Sequence, residues 1–256
     1  MSRINIVLLG DSLTQFSFEV EHQGWGAALQ SVYARKADVI NRGYSGYNST
    51  WVSALVPKII PEIPWNVEYP ERNLVTILLG ANDSCEGNGG VQHVSLEKFK
   101  ENIVSILDRI KQISEDIPIL LITPPRVNET MWEGRNDEQV KKYADVIRAL
   151  GKEHDRPVVD LWTDLDNNTN TNTNNSNTNI DSSVISSIVK EDLWDGLHFG
   201  TAANKKVFAR IQQAIELHYH HLIPDQLEMH FPGWKELPSE EEEIGRAIQG
   251  WKWSHI

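Results

Sequence analysis

A chain of 256 residues can bury a substantial core and sits at the upper end of what one domain usually holds. With 40% hydrophobic and 23% charged residues it has the composition of an ordinary globular protein, which excludes a disordered chain. Its apolar runs have strand length, far from the roughly 20 residues a membrane helix needs, so no integral membrane segment is expected. The net charge of -12, with an acidic cluster at Glu240 to Glu243 and no basic block against it, disfavours nucleic acid and anionic membrane surfaces as partners.

A single cysteine, Cys85, cannot close an internal disulfide, which fits a reducing compartment. The apolar stretch after Met1 is too short for a secretory signal and runs directly into a candidate nucleophile. The expected compartment is therefore the cytoplasm. The C-terminal Ser254-His255-Ile256 faintly resembles the Ser-Lys-Leu address, which makes the peroxisome the alternative.

Short apolar runs alternate with amphipathic stretches, the pattern of βα units around a mostly parallel sheet. Ile4 to Leu9 reads as the first strand. Trp25, Ala28, Leu29, Val32 and Tyr33 recur at helical spacing, and Val39-Ile40 follows as a short second strand. Val52, Leu55, Val56, Ile59 and Ile60 mark a helix that Pro61 and Pro64 end. Leu74 to Leu79 is the third strand, nearly all apolar, as expected where helices cover both faces. Leu96, Phe99, Ile103, Ile106, Leu107 and Ile110 line one helix face behind Ser95 as N-cap. Ile117 to Ile122 is strand four, Tyr143, Val146, Ile147 and Leu150 define the next helix, and Val158 to Leu161 is strand five.

The Asn/Thr tract at 166–179 holds too little apolar surface to offset its ordering entropy and reads as a surface insertion. A weak helix near 184–189 and a loop through Gly200 precede a long helix through Val207, Phe208, Ile211 and Ile215, with Thr201 as its expected N-cap. Residues 1–222 thus form one domain carrying that insertion. Residues 223–256, without a clear period, form a tail that packs as a strap or joins two copies into a homodimer.

Four short segments fall where such a sheet presents a site, at strand ends and on a late loop. Strand one ends in Gly10-Asp11-Ser12-Leu13, which exposes a hydroxyl, although Gly-Asp-Ser is also a routine turn. Asn41 to Asn48 contributes two glycines whose backbone can approach a ligand or simply bend. Strand three ends in Gly80-Ala81-Asn82-Asp83, whose amide can donate to a developing negative charge or serve a turn. In Trp194-Asp195-Gly196-Leu197-His198 a carboxylate can fix an imidazole tautomer, unless this is only a surface loop at a helix start. Each signal is weak alone, and their joint occurrence at four consecutive places where this sheet presents a site is what singles them out.

These segments, in this order from Ile4 to about Gln213, resemble the GDSL, or SGNH, hydrolase superfamily, and most closely its isoamyl acetate-hydrolysing esterase branch. Trp25 to Leu29, Arg42 to Tyr47, Leu79 to Asp83, Asp195 to Phe199 and the tail His230 to Trp234 carry the branch resemblance; the Asn/Thr tract departs from it. The resemblance implies a three-layer α/β/α fold with a flavodoxin-like five-stranded parallel sheet. It also implies a serine esterase acting on small acetate-type esters, with Ser12, Asp195 and His198 catalytic and Ser12, Gly46 and Asn82 forming the oxyanion hole. Acetylated sugars, lysophospholipids and thioesters are the alternative substrates, and an inactive interaction module is the alternative of another class. The chemistry needs no metal or organic cofactor. His218, His220 and His221 are not spaced to gather on one helix face, and are read as solvated. Trp51, Trp194 and Cys85 lie near these segments, but packing accounts for them equally well.

Overall fold

The computed structural model describes residues 4–86, 90–132, 134–165 and 192–250. Five parallel strands run in the order β2-β1-β3-β4-β5, with β1 at Ile4–Gly10, β2 at Ala37–Gly43, β3 at Asn73–Leu78, β4 at Ile119–Ile122 and β5 at Val158–Val159. The sheet is parallel and five-stranded, as expected. The insertion at 166–179 and the helix expected near 184–189 lie outside the described residues.

Successive strand residues point to opposite faces, and both faces of this sheet are apolar. On one face Ile4, Ile6 and Leu8 of β1, Leu74 and Leu78 of β3 and Leu120 and Ile122 of β4 pack beneath two helices. These are α2 (Trp25–Val32), through Trp25 and Leu29, and α7 (Thr201–His218), through Val207 and Ile211. The alternate residues Val7, Leu9, Val75, Ile77, Ile119 and Leu121 meet α3 (Ser49–Ile59), α4 (Leu96–Lys111) and α5 (Asp137–Glu153) on the other face. Three layers result. Helix α4 has the clearest stripe: Phe99, Ile103, Ile106, Leu107 and Ile110 are all buried, each stabilising by about 1.5–3 kcal/mol.

Strand β1 sits between β2 and β3, so the chain leaves it to one side and later returns on the other. The carboxyl ends of β1 and β3 therefore flank a topological switch point, where open α/β sheets bind ligands. Gly10 at the end of β1 makes this edge possible: a Cβ there would lie 2.4 Å from the Leu78 carbonyl oxygen and 2.3 Å from Thr14 Oγ1.

Several boundaries differ from the sequence reading, each for a local reason. Strand five stops at Val159 because Asp160 turns the chain, its carboxylate accepting from Thr163 N–H at the start of α6 (Leu161–Asp164). The N-cap of α7 is Gly200, not Thr201; helical bonding already begins at the Gly200 carbonyl, which accepts from Asn204 N–H at 2.9 Å. The tail is less irregular than expected. It contains α8 (Glu241–Gly250), where three glutamates occupy the first turn and Ile244, Ala247 and Ile248 share a face. Before α8 the tail is tied to the turn between α2 and β2, with Lys36 Nζ donating to the Pro224 carbonyl and Arg35 to those of Phe231 and Pro232. That turn feeds the amino end of β2, so this part of the tail lies at the edge of the sheet away from the switch point. Among the described residues no helix is long and apolar enough to cross a membrane.

Candidate active site

After β1 the chain enters α1 (Ser12–Gln15), a single helical turn capped by Asp11, whose carboxylate accepts from Leu13 N–H at 2.9 Å. This cap places Ser12 at the first helical position, where a turn leaves backbone N–H groups without internal partners. The Ser12 side chain lies at the switch point and is 4% exposed.

The late loop delivers the imidazole. His198 Nε2 lies 2.9 Å from Ser12 Oγ, and His198 Nδ1 lies 2.6 Å from Asp195 Oδ2. The other carboxylate oxygen, Asp195 Oδ1, accepts from the backbone N–H groups of Leu197 at 3.0 Å and His198 at 2.8 Å. Burial pushes the Asp195 carboxyl up, but these hydrogen bonds outweigh it and hold it below the usual carboxylate range. An ionised Asp195 accepts a proton bond from Nδ1, which leaves Nε2 as the basic nitrogen facing the hydroxyl.

Asn82 approaches from the end of β3. Its Nδ2 donates to the Tyr47 carbonyl at 2.9 Å and its Oδ1 accepts from Arg135 at 2.8 Å, which leaves one amide hydrogen uncommitted by these contacts. Gly46, with φ +79°, occupies the backbone region that favours glycine, and its carbonyl accepts from Gln92 Nε2 at 2.8 Å. Asn82 is thus hydrogen-bonded to the loop that carries Gly46, while Tyr44 N–H ties that loop to the Gly10 carbonyl at 2.9 Å. Ser12, His198 and Asp195 form one bonded series, and Asn82 and Gly46 belong to two adjoining loops.

Sequence reasoning passed over the residues that frame this series. Trp194, for which packing is an equal reading in the sequence, stacks on the His198 ring at 5.8 Å and 22°, and His22 stacks on Trp194 at 5.4 Å. Phe16 and Trp132 meet His198 edge-on at 5.1 and 6.3 Å. The loop after β4 braces both halves of the site: Trp132 Nε1 donates to the Asp195 carbonyl at 2.8 Å, and Arg135 bonds the Asn82 amide and the Ala81 carbonyl. Trp51 lies against Tyr47 instead, and Cys85 is buried. His221 Nε2 is 2.9 Å from the Glu71 carbonyl, away from the site. Among the described residues Glu19, Glu21 and His22 are the group whose ligand atoms come within 4.8 Å of one another, and the serine chemistry makes no use of them.

Two acids lie beneath the site. Burial pushes Asp11 up to about 7, against the pull of Leu13 N–H and with a further push from Asp83, and burial pushes Asp83 up to about 6. Asp11 Oδ2 and Asp83 Oδ2 have no hydrogen-bond partner among the described residues, which penalises the ionised forms further. Because the folded state holds these protons more tightly than the unfolded chain, the stability they allow is complete below the ordinary carboxylate range. It is lost as pH rises through 6 to 7. Urea titrations at about pH 5 and about pH 8 should therefore show Asp11→Asn losing less stability across this interval than the unaltered chain, by on the order of 1–3 kcal/mol. Equal losses in the two proteins would mean that Asp11 does not titrate in this window.

Known proteins resemble this chain in sequence and in fold. The family model for GDSL-like lipase/acylhydrolase matches residues 6–211. The chain is 32% identical over 259 residues to the isoamyl acetate-hydrolyzing esterase 1 homolog of Homo sapiens, covering 96% of this chain and 92% of that protein. It is 34% identical over 230 residues to a GDSL esterase/lipase of Arabidopsis thaliana, covering 84% and 87%. Among solved structures, the lipase/acylhydrolase from Enterococcus faecalis superposes with a TM-score of 0.57 at 22% identity, over 88% of this chain and 97% of that one. Axe2, an acetylxylan esterase from Geobacillus stearothermophilus, superposes with a TM-score of 0.60 at 20% identity, over 84% and 94%. These two likenesses concern the fold, whose three layers and parallel sheet they share. The chain belongs to the GDSL-like lipase/acylhydrolase family and is a carboxylic ester hydrolase of the serine type.

Proposed function

We propose that this protein hydrolyses small acetate-type esters, such as isoamyl acetate, through an acyl-enzyme on Ser12. The observation that carries the reading is the bonded series from Ser12 Oγ to His198 Nε2 and from His198 Nδ1 to Asp195. His198 takes the hydroxyl proton as Ser12 attacks the ester carbonyl, and Asp195 stabilises the imidazolium that forms. The tetrahedral oxyanion is held by the Ser12 and Gly46 backbone N–H groups and by the uncommitted amide hydrogen of Asn82. His198 then returns the proton to the departing alcohol. A water molecule repeats the steps on the acyl-enzyme, and no metal or cofactor takes part.

Trp194, stacked on the imidazole and 40% exposed, presents part of its indole to solvent beside the base, an apolar surface that suits a short branched alkyl group. The name of the human relative supports the acetate assignment. Profiling p-nitrophenyl acetate, butyrate and octanoate should give a kcat/KM highest for acetate and lower for octanoate by at least about tenfold, since each methylene in or out of a fitted pocket changes discrimination by roughly 10-fold or more. A maximum at octanoate would replace the acetate reading with one in which long acyl chains are bound.

A further inference from the structure

The polar groups around the site leave one buried cation to account for. Arg135 is 7% exposed, and its guanidinium makes two hydrogen bonds to adjacent residues, to the Ala81 carbonyl and to Asn82 Oδ1. Burying a guanidinium is costly unless its surroundings compensate. Here burial pulls the guanidinium below its usual range, and the neighbouring Cys85 and the ionised Asp195 only partly oppose that pull. A structural anchor for the loop after β4 would be served by carbonyl partners alone. The second bond goes instead to the side chain expected to stabilise the oxyanion.

We propose that Arg135 is a positioning residue that sets the orientation and donor strength of the Asn82 amide. An amide side chain can turn over and exchange its oxygen for its nitrogen at little intrinsic cost. Two partners oppose that exchange. A guanidinium has only donors, so it requires the Asn82 oxygen on its side; the Tyr47 carbonyl is only an acceptor, so it requires the nitrogen on the other. The amide is thereby fixed with its second N–H free for the oxyanion. Accepting a bond from a cation also draws electron density toward Oδ1, which makes the remaining N–H a stronger donor as charge develops on the substrate oxygen. Arg135 thus acts through Asn82 without touching substrate. The same loop reaches the acid–base side through Trp132 Nε1 and the Asp195 carbonyl, so one segment sets both halves of the site.

The inference rests on the reading of Asn82 as an oxyanion donor, and a double-mutant cycle on p-nitrophenyl acetate separates the two. Asn82→Ala alone should lower kcat by roughly 10²- to 10³-fold. Arg135→Met should lower kcat by roughly 10- to 100-fold with KM changed less than about threefold, because the lost interaction is realised in the transition state. Arg135→Lys, which keeps a cationic donor, should recover part of that loss. In the Asn82→Ala background either Arg135 substitution should cost less than about threefold, since the group it acts through is gone. Equal fold losses in both backgrounds would overturn the role of Arg135 and leave that of Asn82 standing. An Asn82→Ala variant within threefold of the unaltered enzyme would instead overturn the oxyanion reading and this inference with it. Should Arg135→Met fail to fold, the Arg135→Lys cycle decides alone, with a loss of about three- to tenfold that vanishes without Asn82 expected, and a loss that persists overturning the proposal.

Discussion

Ser12→Ala is expected to abolish hydrolysis of p-nitrophenyl acetate, with kcat falling by roughly 10⁴- to 10⁶-fold, while circular dichroism and thermal midpoint stay near those of the unaltered chain. The size of the loss follows from the order of events. His198 Nε2 has one hydroxyl within bonding distance, at 2.9 Å, and removing that oxygen leaves the base no proton to take and the carbonyl no nucleophile. The residual rate then comes from oxyanion donors acting on adventitious water. The fold should tolerate the change because the backbone of Ser12 is held by its neighbours: Asp11 caps the turn, and Gln15 N–H closes it on the Asp11 carbonyl at 2.8 Å. A serine-reactive phosphonate gives an independent readout, since it should label the unaltered chain and spare the variant. Retained turnover in Ser12→Ala would end the assignment of the nucleophile. An unaltered chain that neither turns over nor takes the label would favour an interaction module built on the same fold.

Much of this architecture was legible in the sequence because its signals are local. The strands are continuous apolar runs, α4 repeats its apolar residues at helical spacing, and Ser12, Asn82, Asp195 and His198 follow short motifs at element ends. Ser12 and Asn82 share one edge because parallel strands place all their carboxyl ends together, which element order alone conveys, and the loop before α7 brings Asp195 and His198 to Ser12. What escaped is what depends on non-local or unusually short structure. Arg135 reaches Asn82 across a separation of 53 residues and Trp132 reaches Asp195 across 63, from a loop with no periodicity to mark it. Trp194 could not be told from a packing residue until the His198 ring was placed beside it. Val158 to Leu161 looks like a strand by composition, yet the Asp160 carboxylate finds Thr163 N–H and the Arg148 guanidinium, and these bonds favour a helical turn over a longer strand. In the tail, the apolar face of α8 is only Ile244, Ala247 and Ile248, too short a run for periodicity to stand out.

The second large effect is expected from Asp195→Asn, and its direction is set by backbone hydrogen bonds more than by charge. Asp195 Oδ1 accepts from two backbone N–H groups, Leu197 and His198. Neither can bond to an amide nitrogen, so an asparagine here must keep its oxygen on that side and turn its Nδ2 toward His198. That nitrogen is a donor, and it requires Nδ1 to accept. The ring proton then moves to Nε2, where it faces Ser12 Oγ, and the imidazole can no longer serve as a base toward the hydroxyl. We expect kcat to fall by roughly 10³- to 10⁴-fold with KM little changed, and the nitrogen shifts of His198 in an NMR spectrum of the variant should report the exchanged tautomer. Asp195→Glu separates tautomer from position: it keeps an anionic acceptor but, one methylene longer, cannot satisfy the Leu197 and His198 N–H groups and reach Nδ1 from the same place. It should lose activity while retaining the original tautomer. A loss under tenfold in Asp195→Asn would show that His198 is oriented chiefly by Phe16, Trp132 and Trp194 around its ring, and that Asp195 closes the loop without directing the proton.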